Sequence, residues 1–146
     1  MNTLQPAVAV RVCRGPIVLL RVMGVSVSAG FPSPADDFSD KRVDLNDKLI
    51  THPQATFLLR VSGDSMRDAG IFSGDTLVVN RALKPRHGCI VVAIVDGEFT
   101  VKYLHNRAGR IKLKPANPTY PEICPVEGQT IEVWGVVTSA IKLFSA

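Results

Sequence analysis

The sequence contains no run of about 18 uninterrupted apolar residues, which is roughly the length that a helix needs to cross a membrane. Cysteine is also scarce, since only Cys13, Cys89 and Cys124 occur in 146 residues. An odd number of widely spaced cysteines does not form a disulfide framework, and such usage is typical of a reducing compartment. The sequence therefore predicts a cytoplasmic protein that does not span a membrane.

Clusters of metal-binding side chains are missing from the sequence as well. His87 and Cys89 are the only histidine and cysteine that lie close together along the chain. A structural zinc site needs further ligands of this kind, usually as a second pair, and no second pair follows. We therefore expect neither a metal ion nor another cofactor.

Negative charge is missing from the first part of the chain. Residues 1–29 contain Arg11, Arg14 and Arg21 and no acidic residue, so they carry +3 of the total net charge of +4. The remainder carries only +1. It contains no basic helix and no alternation of basic and aromatic residues of the kind that binds nucleic acid. The sequence therefore predicts no direct, sequence-specific binding to DNA.

Short apolar segments with β-branched or alternating residues are, by contrast, abundant. They predict strands near residues 55–61, 76–80, 89–95, 98–104, 110–114 and 130–139. Turn residues separate these segments, and short helical turns are expected only around residues 45–50 and after Ser65. Many short strands with little helix predict an all-β fold, in which one curled, partly closed sheet forms the core.

The chain divides by composition into three parts. Residues 1–29 form a basic and flexible N-terminal arm. Residues 30–50 form an extended linker that is rich in proline and aspartate. Residues 51–146 contain all of the predicted strands and form the β domain.

A β-hairpin is the most specific structural signal in this domain. Two apolar segments flank Asp96-Gly97, a dipeptide typical of a two-residue hairpin turn. In that register Val91 lies opposite Lys102, and the lysine shares its face of the hairpin with apolar side chains. Burial of an ammonium group without a carboxylate lowers its pKa. Lys102 is therefore a candidate general base.

Ser65 lies in a tight turn, 37 residues before Lys102. A serine hydroxyl is a poor nucleophile at neutral pH, and a neutral lysine amine within hydrogen-bond reach can accept its proton. Spacing alone leaves two structural interpretations open. Ser65 and Asp68 have the spacing of a helix capping box, and Lys102 can extend its amine to solvent at a sheet edge.

Three segments around these residues resemble the LexA/UmuD family of self-cleaving serine peptidases, and most closely its UmuD branch. The segments are residues 62–71, 74–79 and 88–104. The resemblance continues upstream around residues 29–37 and downstream to residues 133–137. It therefore covers most of the chain, and its motifs are specific.

The family resemblance implies a function and a set of site residues. By the family pattern, Ser65 is the nucleophile, Lys102 is its general base, and Ala29-Gly30 is the peptide bond that the protein cuts in itself. In the SOS response, such proteins are activated by RecA filaments on single-stranded DNA. The shortened UmuD-like product then joins a Y-family DNA polymerase as an accessory subunit in error-prone translesion synthesis.

A homodimer is expected on two grounds. The predicted hairpin is apolar on both faces, so one face needs cover from a second sheet or from another subunit. The family resemblance independently implies the same assembly.

Other functions remain open at this point. In a non-catalytic module that binds the polymerase, Ser65 and Lys102 would have structural roles only. A general protease of the related signal-peptidase type would carry a membrane anchor, and none is visible. Finally, Arg11 and Arg14 precede an apolar stretch that ends at Ala29 in the manner of a secretory signal, although Arg21 interrupts that stretch.

Overall fold

The computed structural model describes residues 15–24, 26–32 and 41–145. Arg11, Cys13 and Arg14, together with residues 33–40 of the predicted linker, lie outside the described residues. The chain divides into two compact units, with the boundary after Gln54. The predicted arm and linker boundaries, at residues 29 and 50, stay a prediction.

The first unit contains a small antiparallel sheet and a short helix. Strand β1 (Leu19–Arg21) pairs with β2 (Arg42–Asp44), and helix α1 (Leu45–Leu49) follows directly. The Asp44 carboxylate accepts a hydrogen bond from the Asn46 amide at 2.9 Å and so caps the first turn of the helix. The helix was predicted. The two strands were not, because strands of three residues with largely exposed side chains have too little alternation to be detected.

The second unit is built on one antiparallel sheet of six strands. They are β3 (Thr56–Arg60), β4 (Thr76–Asn80), β5 (Ile90–Val95), β6 (Glu98–Arg107), β7 (Arg110–Lys114) and β8 (Ile131–Ile141). Their order is β3-β4-β8-β5-β6-β7, with β3 and β7 at the open edges. The predicted all-β fold is confirmed, and each predicted strand is present with its ends shifted by at most a few residues.

The predicted hairpin is formed by β5 and β6. Val91 lies opposite Lys102, as the sequence predicts. Asp96 and Gly97 both have positive φ, at 48° and 85°, which matches a two-residue turn whose twist suits the flanking strands. The turn sequence therefore fixes which side chains share a face of the sheet.

Apolar side chains cover both faces of this hairpin within the second unit. One buried cluster contains Val61, Met66, Ile71, Leu77, Val79 and Val92. The other contains Val91, Ala93, Leu104 and Leu113, with Cys89 and Ile123 packed against it. Part of each face is therefore buried within the unit itself, whereas Phe99 of the same hairpin is 59% exposed, so cover by another subunit stays a prediction.

Close packing of the central strands depends on a glycine. Gly135 of β8 pairs with Val92 of β5, next to an irregularity in the ladder. A Cβ atom placed on Gly135 would lie 2.6 Å from Val79 Cγ1, well inside van der Waals contact. A side chain at this position would therefore push β8 away from β4.

Candidate active site

Ser65 lies in the segment that connects β3 to a 3₁₀ turn at Arg67–Ala69. Gly63 has φ 97°, a conformation that favours glycine, and it turns the chain just before the serine. Met66 is the N-cap residue of the 3₁₀ turn, and no side chain caps it. The helical turn after Ser65 was predicted, but the interpretation of Ser65 as part of a capping box is wrong.

The loop that follows β7 holds the backbone of this segment on both sides of Ser65. The Ala116 amide donates to the Ser65 carbonyl, and the Ala116 carbonyl accepts from the Asp68 amide, both at 2.8 Å. The buried Asn117 side chain donates to the Asp64 carbonyl at 2.9 Å. These bonds fix the direction in which the Ser65 side chain leaves the turn.

The structure brings Ser65 and Lys102 together. Lys102 is buried, with 7% of its surface exposed, so it does not extend to solvent at a sheet edge. Its Nζ lies 2.8 Å from Ser65 Oγ, 2.8 Å from Thr100 Oγ1 and 3.1 Å from the Val101 carbonyl oxygen. Three oxygen atoms, each of them formally neutral, therefore surround the amine.

The surroundings of Lys102 favour its uncharged form. Among the described residues, no carboxylate forms an ion pair with this lysine. Burial lowers the Lys102 pKa from its ordinary value, because the ammonium form loses water that nothing charged replaces. At a given pH, Lys102 is therefore a free amine in a larger fraction of the molecules than an ordinary lysine is, and a free amine is able to accept a proton.

A cleft of about 370 Å³ opens beside the two side chains. Ser65 and Lys102 lie on its wall together with Leu59, Phe99 and Tyr120. Apolar walls next to a hydroxyl and an amine suit an extended peptide, whose backbone can approach the polar pair while its side chains contact the walls.

The predicted scissile bond belongs to the first unit. Ala29 and Gly30 lie in bends and are exposed. The Gly30 amide donates to Ser28 Oγ at 3.3 Å. Since Ser28, Ala29 and Gly30 are all small, side chains offer little obstruction to the backbone at this bond.

Two features of the site escaped prediction from the sequence. Thr100 was expected to share a face with Lys102, but its contact with the amine was not foreseen, although the spacing of two residues along one strand could have indicated it. Asn117 carries no such signal, because its bond to Asp64 joins residues that are 53 positions apart.

In residues 15–24, 26–32 and 41–145, which the structure describes, no helix is both long enough and apolar enough to cross a membrane. The same residues contain no group of three or more histidine, cysteine or acidic side chains placed to hold a metal ion.

In comparison with known proteins, residues 21–138 match the family model Peptidase S24-like. Protein SamA of Salmonella typhimurium is 50% identical over 113 residues, which are 77% of this chain and 78% of the relative. Protein ImpA of Escherichia coli is 51% identical over 113 residues, 77% of each chain. LexA repressor 2 of Xanthomonas axonopodis pv. citri is 42% identical over 131 residues, 90% of this chain and 61% of the repressor.

Proposed function

The chain belongs to the S24-like peptidase family, on the UmuD branch of the LexA/UmuD proteins, and from this premise we propose that it cuts its own Ala29-Gly30 bond. Ser65 acts as the nucleophile and Lys102 as the general base. The observation that carries the proposal is the 2.8 Å distance between Lys102 Nζ and Ser65 Oγ at a buried position without a carboxylate.

The hydrogen bonds of Lys102 suit a neutral amine. A neutral amine has two N–H groups and one lone pair, whereas an ammonium has three N–H groups and no acceptor. The two N–H groups donate to Thr100 Oγ1 and to the Val101 carbonyl, at 2.8 and 3.1 Å. The lone pair is then directed at Ser65 and accepts the proton of its hydroxyl.

The reaction proceeds through an acyl-enzyme. Ser65 Oγ attacks the Ala29 carbonyl carbon while its proton passes to Lys102 Nζ. The tetrahedral intermediate then breaks the Ala29-Gly30 bond, and the Lys102 ammonium returns that proton to the Gly30 nitrogen. A water molecule, deprotonated by the same amine, attacks the ester, releases the Ala29 carboxylate and restores the Ser65 hydroxyl.

Backbone amides next to Ser65 are available to stabilise the oxyanion. Within the described residues, the N–H groups of Asp64, Ser65 and Met66 donate to no acceptor. The Gly63 amide, in contrast, donates to Ser73 Oγ at 3.4 Å. We therefore assign the oxyanion to amides of residues 64–66, because preorganised donors of this kind supply much of the stabilisation of a tetrahedral intermediate.

The biological role that we propose follows the UmuD branch. The intact protein accumulates in the cytoplasm as a homodimer, and RecA filaments on single-stranded DNA stimulate its cleavage during the SOS response. The shortened form then serves as the accessory subunit of a Y-family translesion polymerase. Removal of residues 1–29 takes away +3 of the net charge of +4, which is a large electrostatic change for a switch.

Mass spectrometry of the purified protein after alkaline incubation tests the cleavage. We expect two fragments divided between Ala29 and Gly30 in the parent, and only intact chain in Ser65→Ala and Lys102→Ala. The matched control is Ser145→Ala, which removes an exposed hydroxyl from a residue that does not line the cleft and should leave cleavage unchanged.

The alternatives give different results in this experiment. A non-catalytic module would leave the parent intact under all conditions. Processing of a secretory signal would remove residues 1–29 inside cells even in Ser65→Ala. A general protease would cut an added unrelated protein at a rate similar to its own chain.

A further inference from the structure

Outside the active site, cations are concentrated on one face of the β6–β7 hairpin. The pairs on this face, which are every second pair of the ladder, are Tyr103–Lys114, His105–Lys112 and Arg107–Arg110. Residues directly opposite each other share a face, and so do residues two positions apart. We call His105, Arg107, Arg110, Lys112 and Lys114 the basic face.

Little negative charge compensates the basic face. Glu122 pairs with Lys112 at 3.1 Å and with Lys114 at 3.7 Å. In the part of the chain that the structure describes, no ion pair involves Arg107 or Arg110.

His105 lies among these cations, and its pKa is lowered from the ordinary value of 6.5. Burial and then the charges of Lys114 and Lys112 lower the His105 pKa, and weaker contributions come from His87 and Arg107. Cations from both strands of the hairpin thus act together at this face.

The shape of this region leaves the cations accessible. Hydrogen bonds to residues 87–89 accompany β6 as far as Asn106, so the part of the hairpin that extends freely is its tip around Arg107 and Arg110, which are exposed. A cavity of about 520 Å³ next to the tip is lined by His105, Arg107, Ile111, Cys124 and Pro125, among others. A ligand can therefore reach the two arginines at the tip and the half-buried His105, Lys112 and Lys114 beside them.

We propose that the basic face binds the phosphate backbone of nucleic acid without reading its sequence. The cation-bearing pairs recur every two residues, roughly 6.6–6.8 Å apart, which makes a linear array suited to a chain of repeated charges. Arginine at the tip of the hairpin provides a planar donor group that matches phosphate oxygens.

A protein partner fits the basic face less well. The centres of protein interfaces are depleted of charged residues and built around apolar or aromatic anchors. Tyr103 shares the basic face but packs against the buried cluster of Val61 and its neighbours. The exposed Ile111 pairs with Asn106 on the opposite face. Backbone binding by phosphate contacts needs no such anchor.

This inference goes beyond self-cleavage and does not depend on it. The net charge after residue 29 is only +1, but this total does not show that cations are concentrated at one place. The expectation that the protein does not bind DNA sequence-specifically is unchanged, because phosphate contacts carry no sequence information by themselves.

Fluorescence anisotropy with a labelled oligo-dT strand, and separately with a labelled duplex, tests the proposal. The full chain is used as Ser65→Ala, so that cleavage does not interfere. We expect binding whose affinity falls with salt. In Arg107→Gln/Arg110→Gln the slope of log affinity against log salt should fall in magnitude by roughly 1.4 for the single strand and roughly 1.8 for the duplex.

A matched control removes two exposed charges from the first unit, in Arg42→Gln/Lys48→Gln. We expect its slope to equal that of Ser65→Ala. Equal losses in both double variants would overturn the proposal, since net charge alone would then explain binding. The proposal would also be overturned if the protein bound neither oligonucleotide. It would likewise be overturned if polyglutamate of the same charge competed equally well, since that result would indicate an acidic protein partner.

Unfolding in urea shows whether the variants remain folded. If Arg107→Gln/Arg110→Gln does not fold, the proposal is tested by nuclear magnetic resonance on a protein in which the basic face is unchanged. Backbone amide signals of residues 105–112 should then shift as oligo-dT is added to Ser65→Ala, and shifts confined to other residues would contradict the proposal.

Discussion

Thr100 Oγ1 lies 2.8 Å from Lys102 Nζ, two residues earlier on the same strand. The strand therefore carries both the amine and the hydroxyl that orients it. In Thr100→Val the shape is kept and this hydrogen bond is lost. A net contribution of about 1 kcal/mol predicts self-cleavage roughly fivefold slower, measured as the rate of fragment formation.

Two variants distinguish orientation of the amine from a general disturbance. Thr100→Ser keeps a hydroxyl and should restore most of the rate. Thr130→Val makes the same substitution at an exposed position and should have no effect. If Thr100→Ser cleaves as slowly as Thr100→Val, the hydroxyl does not orient Lys102.

Lys102 should reduce the stability of the fold at neutral pH. Burial lowers its pKa, which means that the protonated side chain is less favourable in the folded state than in the unfolded state. In the Ser65→Ala background, we expect Lys102→Met to raise the free energy of unfolding at neutral pH.

The advantage of methionine should shrink as the pH rises from the folded pKa of Lys102 towards the ordinary value of 10.5. Over that window the unfolded lysine also loses its proton, and the difference between the two states disappears. Urea titrations of both proteins at several pH values measure the difference in their free energies of unfolding. A difference that stays constant with pH would show that the folded amine is protonated normally.

An ion pair between Asp75 and Lys142 connects the end of β8 to the loop that precedes β4. Lys142 Nζ lies 2.7 Å from both carboxylate oxygens and 4.5 Å from the centre of the Phe72 ring. The bond from Lys142, followed by the bond from the Phe72 amide, lowers the Asp75 pKa below its ordinary 3.8. The carboxylate therefore stabilises the fold fully above pH 3.8, and this is lost as pH falls through the folded pKa.

We expect Asp75→Asn to lower the melting temperature at neutral pH, and the difference from the parent to disappear in acid. Asp68→Asn is the matched control, because Asp68 pairs with Arg67 at an exposed position and such a pair contributes little to stability. Circular dichroism melts at several pH values measure both variants. An equal loss in Asp75→Asn at acid and neutral pH would contradict the assignment.

Gly135 should resist substitution for reasons of space. Its added Cβ would meet Val79 Cγ1 at 2.6 Å, and overpacking of this kind costs about 1–3 kcal/mol. We expect Gly135→Ala to destabilise by that amount in urea unfolding. In the background of Val79→Ala the same change should cost much less, whereas additive effects of the two substitutions would rule out a clash between them.

Local patterns in the sequence account for most of the sheet. Asp96-Gly97 defines the β5–β6 register, and with it the apolar face on which Lys102 lies. Such features are accessible because a turn and its flanking strands are neighbours along the chain. Strands β1 and β2 escaped prediction, since their pairing joins residues that composition assigned to separate arm and linker segments.

Contacts between distant residues could not be derived in this way. Ser65 and Lys102 meet across 37 positions, and Lys142 and Asp75 meet across 67. Family resemblance suggested the first contact, but nothing local suggested the second. The basic face could have been found by counting alternate residues on each strand separately, since His105 and Arg107 precede the Ala108-Gly109 turn while Arg110, Lys112 and Lys114 follow it.

The rate of self-cleavage as a function of pH, without RecA, tests the role of Lys102 most directly. If the free amine is the base, the rate should rise about tenfold per pH unit until the Lys102 pKa is reached and then level off. Ser65→Ala should show no cleavage at any pH. A rate in the parent that shows no rise with pH anywhere between acid pH and pH 10.5, the ordinary lysine value, would contradict Lys102 as the general base.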